Sequence, residues 1–276
     1  MAFANFGTAV TIVEAEDRVL AHYDRQLTQP VVAQLKANGI QVFTNAKATG
    51  FTNGALQVEL SDSAEPSAIT IEATKVLVAV GRRPMTSGFG LESLGLTMDG
   101  PFVSIDHQCH TSMRNVWAIG DLTGEPMLAH RAMKQGEVVA EAIAGHPAVF
   151  EPAAIPAIVF TDPEIVTVGV SPEQAESDDT FGEVTVGTFP LAANGRTMTL
   201  DSSSGFVRVV ARADNHELLG IQAVGKSVAE LSTAFALAIE MGARLEDIAD
   251  TIHAHPTVGE GFAESVATAL GQPLHI

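Results

Sequence analysis

The stretch from His253 to Glu260 carries the residue types best suited to proton transfer. His255 is followed five residues later by Glu260, and Pro256 restricts the backbone between them. A carboxylate at this spacing can accept a hydrogen bond from one ring nitrogen of His255, which leaves the other nitrogen to act as a general base or acid. A second interpretation stays open, because Thr257 and Glu260 also have the spacing of a capping box that would begin a helix over residues 262–270.

Two further acidic residues follow segments that are predicted to be strands. Glu14 directly follows the segment 9–13, and Asp121 follows Gly120 after the segment 116–119. Ligands bind at the carboxyl ends of parallel strands, so Glu14 is suited to the ribose hydroxyls of a dinucleotide, and its charge favours NAD over NADP. Asp121 is suited to a ligand hydroxyl, while the N–H groups of the helix that begins near 127–130 would face an electron-rich ring edge. The alternatives are an exposed loop carboxylate for Glu14 and an Asx turn or cap for Asp121.

The sequence does not predict a metal site. His107, Cys109 and His110 lie close together, but no clustered carboxylate or second cysteine accompanies them. Cys109 is the only cysteine, which excludes an internal disulfide and a zinc-finger framework, and we expect it to be buried as a small hydrophobe.

Composition narrows the class of protein. The chain has 276 residues, of which 46% are hydrophobic, enough for two domains with their own cores. The net charge of −18 argues against nucleic-acid binding. No apolar run reaches the roughly 18 residues of a membrane span and no signal peptide is evident, so we expect a cytoplasmic protein without membrane contact.

The elements that must position these residues fall into two patterns. Up to residue 152 the order is helix ending at Gly7, strand 9–13, helix 24–38 and strand 40–43, which is a βαβ unit of a parallel sheet. After the Asn53-Gly54 turn, further strands are predicted at 57–60, 69–72, 75–80, 102–105 and 116–119. A helix over residues 129–144 ends this part of the chain.

From residue 155 onward, alternating apolar segments predict an antiparallel sheet with strands at 155–160, 165–170, 184–189, 206–211 and 218–224. A helix follows, opened by a capping box at 227–230 and apolar on more than one face, which indicates burial in a core or against a second subunit. The last helix ends at Gly271. The fold class is therefore α/β followed by α+β, with domains at 1–83, 84–152 and 153–276.

Several segments occur together in an order that resembles a known family. They are Val10-Thr-Ile-Val-Glu14-Ala-Glu-Asp-Arg-Val-Leu20, Val78-Ala-Val-Gly81-Arg82-Arg-Pro84, Trp117-Ala-Ile-Gly120-Asp121, Met127-Leu-Ala-His130, Phe160-Thr-Asp-Pro-Glu164, Ala193-Asn-Gly-Arg196 and His253–Glu260. The chain resembles the flavin-dependent pyridine nucleotide–disulfide oxidoreductases, within them the dihydrolipoamide dehydrogenase branch.

The resemblance implies FAD and NAD as cofactors and a role for each matching residue. Glu14 and Gly81 would contact NAD, His255 would be the acid/base with Glu260 as its orienting partner, and the FAD contacts would come from Asp121, Met127, Leu128, Ala129 and His130. The C-terminal domain would form a homodimer in which the pair serves the other subunit. The acyltransferase core of a 2-oxoacid dehydrogenase complex is the further partner that the resemblance implies.

The resemblance also sets an expectation about what the chain contains. The family's N-terminal FAD domain with its CxxxxC disulfide, and the Gly-rich turn of the NAD domain, are absent from the sequence, so we expect a partial NAD-binding domain and no electron transfer by this chain alone. Two other functions stay open: a non-catalytic dimerisation or docking module, and a part of a sister reductase that acts on glutathione or mercuric ion.

Overall fold

The computed structural model describes residues 1–61, 67–202 and 204–276. They form two compact units: Met1–Leu77 together with Pro156–Ile276, and Val78–Ile155. Among the described helices, none is long and apolar enough to cross a membrane.

The first unit begins with the predicted βαβ pattern. Helix α1 (Ala2–Asn5) precedes strand β1 (Thr11–Val13), helix α2 (Arg25–Ala37) and strand β2 (Gln41–Phe43), and β1 pairs with β2 in parallel. The side chain of Asp24 caps α2 by accepting the N–H of Gln26 at 2.7 Å. The predicted βαβ unit is therefore confirmed. Its helix was predictable because Asp24 and Gly39 mark the two ends of α2 in the sequence.

A three-stranded antiparallel sheet follows, made of β3 (Ala46–Thr52), β4 (Ala55–Leu60) and β5 (Ser67–Glu72). The Asn53-Gly54 turn joins β3 to β4, with both residues at positive φ as a tight hairpin turn requires. Strand β3 was not predicted from the sequence. Its residues are mostly exposed and show no apolar alternation.

The second unit contains a small hairpin, β6 (Met98–Asp99) with β7 (Phe102–Val103), and helix α3 (Ala129–Ile143). Two predicted strands here are wrong. Residues 75–80 form no strand, and side chains such as Val80, 91% exposed, lie in solvent. Residues 116–119 make only a single bridge from Trp117 to His110, because no second described strand pairs with them.

The C-terminal part of the first unit is a five-stranded sheet of order β10-β11-β12-β9-β8 with antiparallel pairing throughout. Its strands are β8 (Ala157–Val159), β9 (Glu164–Gly169), β10 (Val184–Pro190), β11 (Phe206–Arg212) and β12 (Leu218–Gly225). Five further helices accompany it: α4 (Pro172–Ser177), α5 (Gly195–Thr199), α6 (Ser232–Glu240), α7 (Leu245–Ala249) and α8 (Glu260–Ala269). The predicted antiparallel sheet is confirmed.

Helices cover both faces of the sheet at β11 and β12. Val207 and Arg208 are neighbours in β11 and so point to opposite faces. Val207 lies beneath α8, where a Cβ added to Gly261 would meet it at 3.0 Å. Arg208 reaches the start of α2 on the other face, where it forms an ion pair with Asp24. This sandwich explains why β11 and β12 are buried along almost their whole length.

One expectation about the helix after the sheet is wrong, and one that was left open is decided. Ser227 lies at φ +61 and its side chain caps no helix; residues 228–231 form a 3-10 turn, and α6 begins at Ser232. Phe235 is fully buried inside the chain and makes an edge-on ring contact with Phe262. The apolar character of α6 therefore reflects first of all the core of this unit.

Candidate acid–base and cofactor sites

His255 and Glu260 meet in the loop that connects α7 to α8. His255 Nδ1 lies 2.8 Å from Glu260 Oε1, and the side chains are 77% and 22% exposed. The second carboxylate oxygen, Oε2, accepts the N–H of Thr257 at 2.8 Å. The pair is thus held at hydrogen-bond distance, while the exposed ring keeps its Nε2 edge accessible.

The capping box is only half formed. Glu260 is the first residue of α8, and its carboxylate accepts the Thr257 N–H. The reciprocal contact is missing because the Thr257 hydroxyl instead donates to the carbonyl of Ala254 at 2.8 Å. Glu260 consequently stabilises the turn with one oxygen and orients His255 with the other.

The environment of Glu260 favours its ionised form. Partial burial opposes ionisation, but the Thr257 N–H, the hydrogen bond from His255 and the charges of His255 and His275 outweigh it, so the pKa of the Glu260 carboxyl lies below its ordinary value. An ionised carboxylate at this position accepts a proton-bearing Nδ1. The Nε2 of neutral His255 is then an acceptor, as a general base requires.

His253 has a different environment from His255. It is partly buried, and its Nε2 lies 3.1 Å from the carbonyl oxygen of Ile248. That contact joins the loop to the end of α7. His253 is therefore engaged in holding the loop.

The turn at Gly120 and Asp121 is fixed by two buried side chains that the sequence analysis missed. Gln135 accepts the Gly120 N–H at 2.7 Å, and Arg131 donates to the carbonyls of Gly120 and Gly124 at 3.2 and 3.0 Å. Gly120 has φ +77, a conformation that favours glycine. Asp121 itself is exposed. Only the position of Arg131 and Gln135 on the inward face of α3 could have indicated their role.

The 127–130 segment leads into α3. Met127 is buried, its N–H donates to Glu125 at 3.0 Å, and its carbonyl accepts a hydrogen bond from Arg82 at 2.9 Å. Leu128 is the N-cap residue, and no side chain caps the helix start. Ala129 and His130 are exposed in the first turn. A helix start without a capping side chain can donate backbone N–H groups to an anionic or carbonyl-bearing ligand.

Glu14 and Gly81, the predicted NAD contacts, lie in different units. Glu14 directly follows β1 and accepts the N–H of Glu16 at 3.0 Å through Oε1, which leaves Oε2 for a ligand hydroxyl. Gly81 is exposed at φ +107, with no atom within 4 Å of an added Cβ.

The histidines near Cys109 have carboxylate partners. His107 pairs with Glu151 at 2.8 Å and His110 with Asp106 at 3.1 Å. Cys109 is buried, as predicted, and burial together with the charge of Asp106 raises the pKa of its thiol. Within the described ranges, no group of three His, Cys, Asp or Glu residues could hold a metal ion.

Comparison with known proteins assigns both parts of the chain. The family model described as pyridine nucleotide-disulphide oxidoreductase matches residues 1–136, and the model of the dimerisation domain of the same family matches residues 155–266. Among solved structures, LpdA from Mycobacterium tuberculosis has a TM-score of 0.85 at 26% identity, covering 96% of this chain and 57% of that one.

The curated relatives share one activity. The chain is 56% identical over 275 residues to a dihydrolipoyl dehydrogenase of Pseudomonas aeruginosa and 43% identical over 276 residues to one of Geobacillus stearothermophilus. Both matches cover 100% of this chain, which spans 58% of the length of either relative. The two family models, matched at residues 1–136 and 155–266, and these identities lead to one conclusion: the chain belongs to the pyridine nucleotide-disulphide oxidoreductase family.

Proposed function

We propose that this chain carries the acid–base pair and part of the cofactor contacts of a dihydrolipoyl dehydrogenase. The reaction is dihydrolipoamide + NAD⁺ → lipoamide + NADH + H⁺, in which the dithiol loses two electrons and two protons and NAD⁺ takes up a hydride. The observation that carries the proposal is the 2.8 Å contact between His255 Nδ1 and Glu260 Oε1, in a chain 56% identical to such an enzyme.

His255 is the general base for the substrate thiol. A free thiol has an ordinary pKa of about 8.5 and is mostly protonated near neutral pH, whereas the thiolate is the nucleophile. His255 accepts the thiol proton at Nε2. Glu260 then stabilises the imidazolium through Nδ1 and holds the ring in one orientation, so that little reorganisation accompanies proton transfer.

The residues of the second unit fit a flavin. Asp121 supplies an exposed carboxylate on a turn that Gln135 and Arg131 hold rigidly, and the uncapped start of α3 supplies donors for an electron-rich ring edge. Contacts to FAD would come from Asp121, Met127, Leu128, Ala129 and His130. FAD, when bound, supplies the two-electron carrier between the dithiol and NAD⁺.

Glu14 and Gly81 would each contribute an NAD contact from its own unit. The free oxygen of Glu14 can accept a ribose hydroxyl, and its negative charge repels the 2′-phosphate of NADP. The open surface at Gly81 allows close approach of a ligand to the backbone.

The partner that we propose is a second copy of the chain. Residues 155–266 match the dimerisation domain of the family, and α6 keeps Leu237 60% exposed, with Met241 73% exposed directly after it. Covering these apolar side chains would stabilise a dimer. A cytoplasmic location and docking on the acyltransferase core of a 2-oxoacid dehydrogenase complex go with this function.

A chimeric enzyme tests the proposal. This chain would replace the matching segment of the Pseudomonas aeruginosa dihydrolipoyl dehydrogenase, so that the relative supplies the remaining 42% of the length. We expect a yellow dimer that reduces NAD⁺ with dihydrolipoamide. A folded, flavin-containing chimera that reduces glutathione disulfide instead would favour the sister reductase, and one that dimerises without any disulfide chemistry would favour the docking module.

A further inference from the structure

Asn194 is a buried amide beneath the loop that carries His255. It precedes α5, and only 3% of its surface is exposed. Its Oδ1 accepts the N–H groups of Arg196 and Thr197 at 3.0 and 3.1 Å, and its Nδ2 donates to the carbonyl of Thr257 at 3.0 Å. Reversing the amide would set oxygen against oxygen and nitrogen against two N–H groups, so these partners fix its orientation.

The contact with Thr257 continues to the acid–base pair. The carbonyl of Thr257 is held by Asn194, and the N–H of the same residue donates to Glu260 Oε2 at 2.8 Å. Glu260 Oε1 in turn lies 2.8 Å from His255 Nδ1. Three hydrogen bonds thus lead from a rigid, buried helix cap to the exposed imidazole.

We propose that Asn194 is a positioning residue for His255, acting through Thr257 and Glu260. The loop between α7 and α8 has no strand or helix of its own to hold it, so a buried tether determines where Thr257 presents its N–H. The catalytic consequence rests on the proposed function, whereas the geometric consequence does not.

Asn194→Ser removes the hydrogen bond to the Thr257 carbonyl while keeping the cap of α5. Serine retains an oxygen that can cap α5 but has no amide group to reach the Thr257 carbonyl. Asn194→Asp, of nearly the same shape, also keeps the cap and loses the donor, and it serves as a second variant if the serine variant does not fold. The matched control is Ser171→Ala, which removes the side chain that caps α4 and contacts nothing in the His255 loop.

Four measurements test the positioning role, two on the 276-residue chain and two on the chimera. In the 276-residue chain, nitrogen NMR of His255 reports its tautomer, and carbon NMR reports the pKa of Glu260. In the chimera, rapid mixing reports the rate of flavin reduction by dihydrolipoamide, alongside the KM for NAD⁺. We expect Asn194→Ser to mix the tautomers, to move the pKa of Glu260 upward, and to slow flavin reduction by about 10- to 100-fold without changing the KM for NAD⁺, since a small misplacement of a catalytic group has effects of this size.

A serine variant with the tautomer, the Glu260 pKa and the rate of the Ser171→Ala control would overturn the positioning role. Loss of the tautomer preference in the 276-residue chain, combined with an inactive unsubstituted chimera, would support the positioning role and overturn the proposed function. The two proposals therefore fail in distinguishable ways.

Discussion

Replacing Asp24 by asparagine should destabilise the first unit far more than replacing an exposed charge at a helix start would. Asp24 Oδ2 forms an ion pair with Arg208 in β11, and both side chains are only 4% exposed. Arg208 also donates to Gln222 at 3.0 Å and to Gln26 at 3.1 Å. Asparagine keeps an oxygen for the Gln26 N–H and so preserves the cap, but it leaves the buried guanidinium without a counter-charge.

The expected loss in the free energy of unfolding is about 3–5 kcal/mol, the usual cost of removing one partner from a buried ion pair. A neighbouring pair supplies the comparison: Arg25 and Asp17 lie 2.9 Å apart with side chains 72% and 56% exposed. Breaking this exposed pair by Arg25→Ala should cost about 0–1 kcal/mol. The start of α2 thus offers a buried and an exposed ion pair whose contributions to stability can be compared directly.

Urea unfolding followed by circular dichroism measures both variants. Combining Asp24→Asn with Arg208→Met removes both charges, and the double variant should be much more stable than the sum of the two single losses predicts. Equal losses for Asp24→Asn and Arg25→Ala, or strictly additive losses in the double variant, would refute the view that the buried charge holds α2 against the sheet.

Three further outcomes follow from the geometry. The pKa of Glu260 is lowered in the folded chain from its ordinary 4.5, so the stability that its ionised carboxylate contributes is fully present above pH 4.5. This stability is lost as the pH falls through the lowered pKa of the folded state. The free energy of unfolding of Glu260→Gln should therefore depend less on pH in acid than that of the unsubstituted chain. Gly187→Ala should destabilise by about 1–3 kcal/mol in urea unfolding, because the new Cβ would lie 2.0 Å from the Ser265 carbonyl oxygen, whereas Gly195→Ala meets nothing within 4 Å and should cost little. Cys109 should react with a thiol reagent much more slowly in the native chain than in denaturant, because burial raises its pKa and blocks access; equal rates would show that it is accessible.

The elements that could be predicted are those whose signals are local. Helix α2 has Asp24 before it and Gly39 after it, and α3 ends before Gly145 at positive φ. The antiparallel sheet was predictable because its strands show apolar segments of strand length separated by turns. In each case the residues that determine the element lie within it or next to it.

Most of what could not be predicted has one physical cause, which is that pairing and packing partners lie elsewhere in the chain; Ser227 is the exception. Residues 75–80 are as apolar as a buried strand, yet no described strand pairs with them. Ser227 has the spacing of a capping box, but its backbone lies in the left-handed region and its side chain makes no capping hydrogen bond. Phe235 could face either a core or a partner, and only its contact with Phe262 decides for the core.

The candidate site also contains one contact that is local in the sequence and one that is not. The pairing of His255 with Glu260 could be predicted because Glu260 lies only five positions after His255, and the double use of the carboxylate follows from its two oxygens. Asn194 lies 63 residues before Thr257, and nothing local to the loop indicates that the two meet. Its motif was recognised in the sequence, but its contact required the fold.

The most direct test of the account is the rate at which dihydrolipoamide reduces the flavin of the chimera when His255 is changed to glutamine. The account predicts a loss of about 10²–10⁴-fold, the usual contribution of a general base, with unchanged flavin content. His253→Gln is the matched control, since the amide of glutamine can still donate to the Ile248 carbonyl that His253 contacts, and this variant should retain most of the activity. Equal rates for His255→Gln and the unsubstituted chimera would contradict the assignment of His255 as the base.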